Sequence, residues 1–147
     1  MNMKIRLRTR ITMLNSLVRN TLVYSCQTWS TTMAQLNRMN AQYMSFIRKM
    51  TKGGYKRKDN SWHFVFTNMN LLEMAKTTDL TSYIRRQQRN YVGHVIRKEN
   101  ASIVKRLLFN SDMSRRPGRQ TTLLSSVLSN VQGNPDELYT NAMNRVF

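Results

Sequence analysis

The sequence predicts a mainly α-helical, bundle-like fold of about five to seven helices joined by basic loops. Apolar residues recur about every 3.6 positions along most of the chain, which is the spacing of one helix face. N-cap candidates precede several of these stripes. With 147 residues, 40% of them apolar, the chain can bury a modest core as one compact domain or two small helical lobes.

The first half of the chain predicts two long helices and a short extended segment. Residues 4 to 27 have helical apolar spacing with no proline or glycine between them. A second helix is predicted over residues 32 to 50, after N-cap candidates at positions 30 to 32. Two glycines and a run of like charges predict a loop over residues 51 to 60. WHFVF, residues 62 to 66, predicts a short strand or an extended segment packed on the helices.

The second half predicts a long basic helix flanked by shorter ones. Asp79 is its predicted N-cap, and its predicted buried side holds Leu80, Tyr83, Ile84, Gln87, Tyr91, Val95 and Ile96. Helices are predicted over residues 70 to 77, 80 to 98, 101 to 109 and 121 to 131, and from Asn134 through Pro135 onward. We divide the chain into a helical pair with a basic loop (1–58), a connecting helical region (59–125) and a helical tail (126–147).

Charge is the feature that bears most on function. The chain has 24 Lys and Arg residues against seven Asp and Glu residues, a net charge of +17. Residues 1 to 58 hold twelve basic residues and no acidic one, and residues 85 to 119 hold ten more against Glu99 and Asp112. Such a field attracts polyanions, of which nucleic acid and an anionic membrane surface are the plausible ones. We favour nucleic acid.

Other residue types limit the compartment and the chemistry. The single cysteine, Cys26, excludes an internal disulfide and a cysteine-rich zinc site, and indicates a reducing compartment, the nucleus or the cytoplasm. The basic start has no apolar signal segment behind it, and the most apolar window, residues 11 to 29, is too polar to span a bilayer. We therefore expect no membrane partner.

Catalytic and metal-binding patterns are missing from the sequence. His94 has no carboxylate or thiol at metal-ligand spacing, and His63 lies in a different predicted element. The seven carboxylates are scattered, whereas nucleotidyl transfer by two metal ions needs a cluster of acids. We expect no enzyme activity, no cofactor and no metal in this chain, and we expect His94 to be packed or to face a phosphate.

The candidate binding residues are the basic ones. RRPGR, residues 115 to 119, places three arginines in a turn made rigid by Pro117 and Gly118, and the helix from residue 80 carries a dense basic surface. With almost no acid nearby, these side chains are expected to contact phosphates. The predicted nucleic-acid-binding residues are Lys56, Arg57, Lys58, Arg85, Arg86, Arg89, His94, Arg97, Lys98, Arg115, Arg116 and Arg119.

Four segments occur in an order that resembles one family. They are LVRNTLVYSCQTW (17–29), QYMSFIRKM (42–50), IRRQQRNYVGHVIRK (84–98) and RRPGRQTTL (115–123). The ordered set, over about residues 5 to 125, resembles the region behind the polymerase palm of reverse transcriptases from non-LTR (LINE-type) retrotransposons. Departures from the family pattern are Ser25 and Gln27, where Gly and Glu are usual, Tyr91 in place of Trp, and RPGR in place of GRP.

The resemblance implies a role in gripping nucleic acid. The family's polymerase aspartates, in a YADD-like hairpin, would lie upstream, since this chain holds no such motif. The chain would then be a non-catalytic fragment, the thumb and the region after it. Its partners would be an RNA or DNA template–primer duplex and the palm and fingers of an intact element. YVGHVIRK would be a family signature in which Gly93 permits close helix packing.

Two alternatives belong to other classes. The first alternative is a free-standing basic helical protein that binds RNA, DNA or a membrane surface. The second is a nuclease-type enzyme that uses His94 with scattered acids. Binding to anionic vesicles but not to duplexes would favour the membrane, and a metal-dependent activity lost in His94→Ala would favour the enzyme.

Overall fold

The chain is mainly helical in the part that the computed structural model describes, namely residues 5–51, 55–58, 61–64, 66–109 and 135–144. This confirms the predicted fold class. The helical elements are α1 (Leu7–Met13), a π-helical segment (Leu14–Arg19), α2 (Asn20–Leu22), a 3-10 turn (Cys26–Thr28), α3 (Met33–Thr51), α4 (Asn68–Ala75), α5 (Leu80–Ile96), α6 (Ile103–Phe109) and α7 (Pro135–Met143).

The chain divides into two compact units, each made of two stretches of sequence. The first unit comprises Met1–Tyr24 and Ala34–Tyr83. The second comprises Ser25–Met33 and Ile84–Phe147. The predicted loop at 110 to 120 and the predicted helix at 121 to 131 lie outside the described residues.

The first helical run is shorter than predicted. Helix α1, the π-helical segment and α2 follow one another without a break, but the run ends at Leu22 and not at residue 27. The backbone leaves the right-handed helical region at Val23, with φ −109° and ψ 24°, and Ser25 then has φ 59° and ψ 20°, in the left-handed region, so the α-helix does not continue. That conformation costs a residue with a Cβ about 1–2 kcal/mol. Because no glycine or proline marks the position, the apolar spacing alone extended the predicted helix too far.

Replacing Ser25 with glycine is expected to stabilise the protein. Glycine adopts a positive φ without strain, although its greater freedom in the unfolded chain offsets part of the gain. We expect a rise of about 0.5–1 kcal/mol in the free energy of unfolding, measured by chemical denaturation. The matched control is Ser25→Ala, which keeps the Cβ and should bring no gain. Equal stability of the two variants would contradict this explanation.

Helix α3 forms the centre of the first unit. Its predicted range, residues 32 to 50, agrees with the observed Met33–Thr51. Tyr43 is fully buried, and its hydroxyl donates to the Asn15 Oδ1 at 2.6 Å. The Asn15 amide in turn donates to the Thr77 Oγ1 at 3.4 Å. Around this polar chain the unit buries the apolar residues Ile11, Leu14, Val23, Leu36, Met44, Ile47, Leu71, Ala75 and Leu80.

The predicted loop at residues 51 to 60 is wrong at five described positions: Thr51 is the last residue of α3, and residues 55 to 58 form a strand. Strand β1 (Tyr55–Lys58) pairs antiparallel with strand β2 (Ser61–Phe64), with Tyr55 opposite Phe64. Charged side chains stay compatible with a strand because the strand is held by backbone hydrogen bonds, not by the side chains. The strand predicted near residues 62 to 66 is observed, starting one residue earlier.

Side-chain caps fix the starts of α4 and α5. Thr67 and Asn70 form a reciprocal capping box, so α4 begins at Asn68, two residues before the predicted start. Lys76, in the left-handed region with φ 48°, ends it. The Asp79 Oδ2 accepts from the Ser82 backbone amide at 3.0 Å, which confirms Asp79 as the cap of α5.

The second unit is built around α5 from Ile84 onward. Its buried residues are Cys26, Ile84, Gln88, Val92, Val95, Ile96 and Ala142. Gly93 is also buried, as expected of a residue that permits close helix packing. Two basic side chains make hydrogen bonds at the C-terminal end of α5. The Lys105 ammonium donates to the Ile96 and Lys98 carbonyls at 2.8 and 3.0 Å, and the Arg97 Nη1 donates to the Ala142 carbonyl at 2.8 Å.

Candidate nucleic-acid interface

A group of exposed basic residues lies on the outer side of α5 in the second unit and directly after the end of this helix, which is at Ile96 and not at the predicted residue 98. We call these residues the basic face: Arg86, Arg89 and His94 on α5, and Arg97 and Lys98 after it. Arg86 and His94 are eight residues apart with Asn90, also exposed, midway between them. Each interval of four residues is about 6 Å of helical rise, so the polar side chains recur at regular steps along the helix.

The basic face points to solvent because the opposite side of α5 is fixed by the core. Ile84, Val92 and Val95 are fully buried. Gln88 is buried as well, because its amide donates to the Trp29 carbonyl at 2.9 Å and to the Cys26 carbonyl at 3.3 Å. A buried amide needs such partners. The orientation of the face therefore depends on one polar residue inside the core.

The predicted buried side of α5 is partly wrong. Leu80, Ile84, Val95 and Ile96 are buried as predicted. Gln87 and Tyr91, which were placed in the core, are only half-buried, and Gln88 and Val92 occupy the core instead. Sequence reasoning missed Gln88 because its acceptors are carbonyls about sixty positions away, which no local pattern reveals.

Arg85 is set apart from the basic face. It is half-buried, and its Nη2 lies 3.3 Å from the Met33 sulfur. Its Nε is buried and has no hydrogen-bond partner in the described part of the chain. Arg97, although exposed, commits its Nη1 to the Ala142 carbonyl. The other residues predicted for the helix at 80 to 98, Arg86, Arg89, His94 and Lys98, are exposed.

Other predicted binding residues lie where no side chain is described. The backbone of Lys56, Arg57 and Lys58 forms strand β1, but the described structure does not extend to their side chains. Arg115, Arg116 and Arg119 lie outside the described residues altogether. Arg106, exposed on α6, is a basic residue of the second unit that the prediction omitted.

His94 is exposed on the outer side of α5. Within the described ranges, no three residues among His, Cys, Asp and Glu lie close enough together to hold a metal ion. The expectation that His94 is packed in the core is not met, whereas its position among basic side chains leaves a phosphate-facing role available.

Cys26 is enclosed in the second unit. Its side chain is 2% exposed, and burial raises the pKa of its thiol. A raised pKa lowers the thiolate fraction at neutral pH, and the thiolate is the nucleophilic form. Cys26 is therefore a packing residue and not a reactive one.

The Cys26 thiol is expected to make stability fall with rising pH. The folded state holds this proton more tightly than the unfolded state, so the contribution is complete below the ordinary thiol pKa of about 8.5 and declines as the pH rises above it. Denaturant melts from pH 7 to 9.5 should show a steeper decline for the wild type than for Cys26→Ala. Parallel curves for the two proteins would contradict the assignment.

Comparison with known proteins identifies no relative. No protein-family model, no curated protein and no solved structure matches the chain. None of the described helices is both long and apolar enough to cross a membrane.

Proposed function

We propose that this chain binds duplex nucleic acid through its phosphates, as the thumb and following region of a protein related to non-LTR retrotransposon reverse transcriptases. The observation that carries the proposal is the exposed basic face of α5. Residues 84 to 109 contain seven Lys and Arg residues and one acidic residue, Glu99, so this stretch of the sequence is strongly cationic. Phosphates are the polyanionic groups that such a surface recognises without reading sequence.

Two structural details support the family resemblance. Ser25 has a positive φ at the position where the family pattern has glycine, the residue that adopts this conformation most easily. Gly93, in the GH pair of the resemblance, is buried although it stands one turn from both Arg89 and Arg97, which are exposed. At both positions the family pattern has glycine, and the local structure of this chain is compatible with glycine. The proposal assigns no catalytic step to this chain and leaves polymerisation to an upstream palm.

The number of phosphate contacts sets the expected salt dependence. Six candidates remain once the half-buried Arg85 is removed, and we expect four or five of them to contact phosphates together: Arg86, Arg89, Lys98, Arg115, Arg116 and Arg119. Each contact on B-form duplex contributes about −0.9 to the slope of log affinity against log salt. Four or five contacts therefore give a slope of about −3.6 to −4.5.

The experiment is a salt titration of the purified chain with labelled duplexes of unrelated sequence, read by fluorescence anisotropy. We expect the slope stated above and affinities that agree within about threefold between sequences, because backbone phosphates carry no sequence information. Anionic vesicles serve as the competing polyanion. Salt-independent binding, a strong sequence preference, or binding to vesicles but not to duplexes would overturn the proposal.

A triple variant tests the basic face itself. Replacing Arg86, Arg89 and Lys98 with glutamine is expected to flatten the salt slope by about one to three units. The matched control replaces the exposed Arg6, Arg8 and Arg38 of the first unit with glutamine, which removes the same formal charge elsewhere. If both variants changed the slope equally, net charge and not the basic face would be responsible.

A further inference from the structure

The first helical run has an apolar outer side in addition to its buried one. Ile11 and Leu14 are buried in the first unit, whereas Met13, Leu17 and Tyr24 are 49%, 63% and 80% exposed. Exposed Thr21 stands between the last two. We call Met13, Leu17, Thr21 and Tyr24 the outer ridge. From Met13 to Leu17 to Thr21 its members are four residues apart, as on one side of a helix.

Three hydroxyls on and beside the outer ridge are bonded to the backbone of the same helical run. They donate to its carbonyls: Thr12 to Arg8 at 3.0 Å, Ser16 to Met13 at 3.3 Å and Thr21 to Leu17 at 2.6 Å. While so bonded, these hydroxyls donate no hydrogen bond to a phosphate. Asn20, at the edge of the ridge, keeps an exposed amide. The chemistry of the ridge is therefore apolar, unlike that of the basic face.

The backbone beneath the outer ridge is unusual. Leu14–Arg19 is π-helical over six residues, and Leu17 lies within it. π-Helical turns are rare and occur frequently at functional sites. Asn15, in the same segment, is held by hydrogen bonds to Tyr43 and Thr77. The fold thus maintains an uncommon geometry under the most central exposed leucine.

We propose that the outer ridge is a docking site for an acidic amphipathic helix of a partner protein. Residues 1 to 58 hold twelve basic residues and no acidic one, and exposed Arg6 and Arg8 lie at the start of the run, so an acidic partner matches the charge. A second copy would bring its own charge of +17 and is disfavoured. The proposal is independent of nucleic-acid binding.

The shape of the outer ridge favours a helix over a lipid surface. Interfacial membrane helices insert a broad apolar face, whereas this ridge is a single row of side chains interrupted by hydroxyls. A row with four-residue spacing fits the groove between the side-chain rows of another helix. From Met13 to Thr21 the row covers about two helical turns, and Tyr24 follows just after the run, so a partner helix of about three turns would cover it.

The test uses the full chain and a labelled synthetic peptide. The probe is a helical peptide of about 18 residues with one leucine stripe flanked by glutamates, long enough to span the ridge. A scrambled peptide of equal composition controls for plain charge attraction. Binding is measured by anisotropy above about 0.15 M salt, where the Debye length is below roughly 8 Å. We expect the striped peptide to bind at least about tenfold more tightly than the scrambled one.

Point variants locate the peptide. Leu17→Ser is expected to weaken binding of the striped peptide about tenfold, as truncation of a central contact does. The matched control is Met69→Ser, which alters a methionine of α4 that is 81% exposed and not part of the ridge. Since both side chains are exposed, circular dichroism and Tm should match the wild type. A striped peptide that binds no better than the scrambled one, or that Leu17→Ser leaves unaffected, would overturn the proposal. So would Leu17-dependent binding to phosphatidylglycerol vesicles in place of the peptide.

Discussion

Replacing Gln88 with leucine is expected to lower the free energy of unfolding by about 1–3 kcal/mol, the cost of one buried carbonyl left without a partner. The Gln88 amide donates to the carbonyls of Cys26 and Trp29, and only the Cys26 carbonyl keeps a second donor, the Trp29 backbone amide at 3.2 Å. Leucine fills a similar volume but donates nothing. The loss is a large share of the 5–15 kcal/mol by which domains of this kind are stable.

Gln87→Leu is the matched control for this change. Gln87 is the neighbouring residue on α5, is half-buried and makes the same chemical substitution possible. Surface or half-buried substitutions of this type usually change stability by less than about 0.5 kcal/mol. Denaturant melts of both variants give the comparison. Equal stabilities of the two variants would mean that the carbonyls of Cys26 and Trp29 do not need the Gln88 amide as a donor. The orientation of α5 would then have another cause.

The long helices were predictable because their signals are local. In α3 the stripe that includes Leu36, Tyr43 and Ile47 repeats at helical spacing over nineteen residues, and the helix is observed where it was predicted. Helix α5 begins after Asp79 because a carboxylate there accepts from a backbone amide of the first turn. Both features depend on residues within a few positions of one another, so the sequence alone contains them.

Features that depend on distant contacts were not predictable. Ser25 takes a left-handed conformation that its own residue type disfavours, and the packing of Cys26 and its contact with Gln88 surround that turn. Strand β1 forms in a run of like charges because β2 supplies its backbone partners. The π-helical geometry at Leu14–Arg19 likewise has no marker in the residue pattern.

The candidate site was predictable as a set of residues but not as a surface. Arginine clustering identified α5, and the core fixed which of its basic residues face outward. Arg85 was included because arginines are usually exposed, yet its long side chain reaches the Met33 sulfur. Arg97 was included for the same reason, and part of its guanidinium holds α7. Both are cases in which an apolar or backbone partner competes with solvent for an arginine.

Replacing Arg115, Arg116 and Arg119 with glutamine is expected to weaken binding to all duplex sequences alike and to flatten the salt slope by about one to three units. Each contact is worth about 0.9 decade of affinity per decade of salt, so three lost contacts at about 0.1 M salt reduce affinity by up to several hundredfold. The helical circular dichroism signal should persist, because RRPGR lies outside the apolar stripes of the core. Salt titrations with two unrelated duplexes provide the measurement.

A six-residue variant combines the glutamine replacements in RRPGR with those of Arg86, Arg89 and Lys98. It distinguishes direct phosphate contact by RRPGR from an indirect role of RRPGR in positioning α5. If both groups contact phosphates independently, their effects on the slope should add, and the six-residue variant should keep little salt-dependent affinity. If RRPGR only positions α5, the second set of changes should add almost nothing to the first. A variant that loses one sequence and retains the other would show that these arginines read bases, and the phosphate-binding proposal would then be wrong for RRPGR.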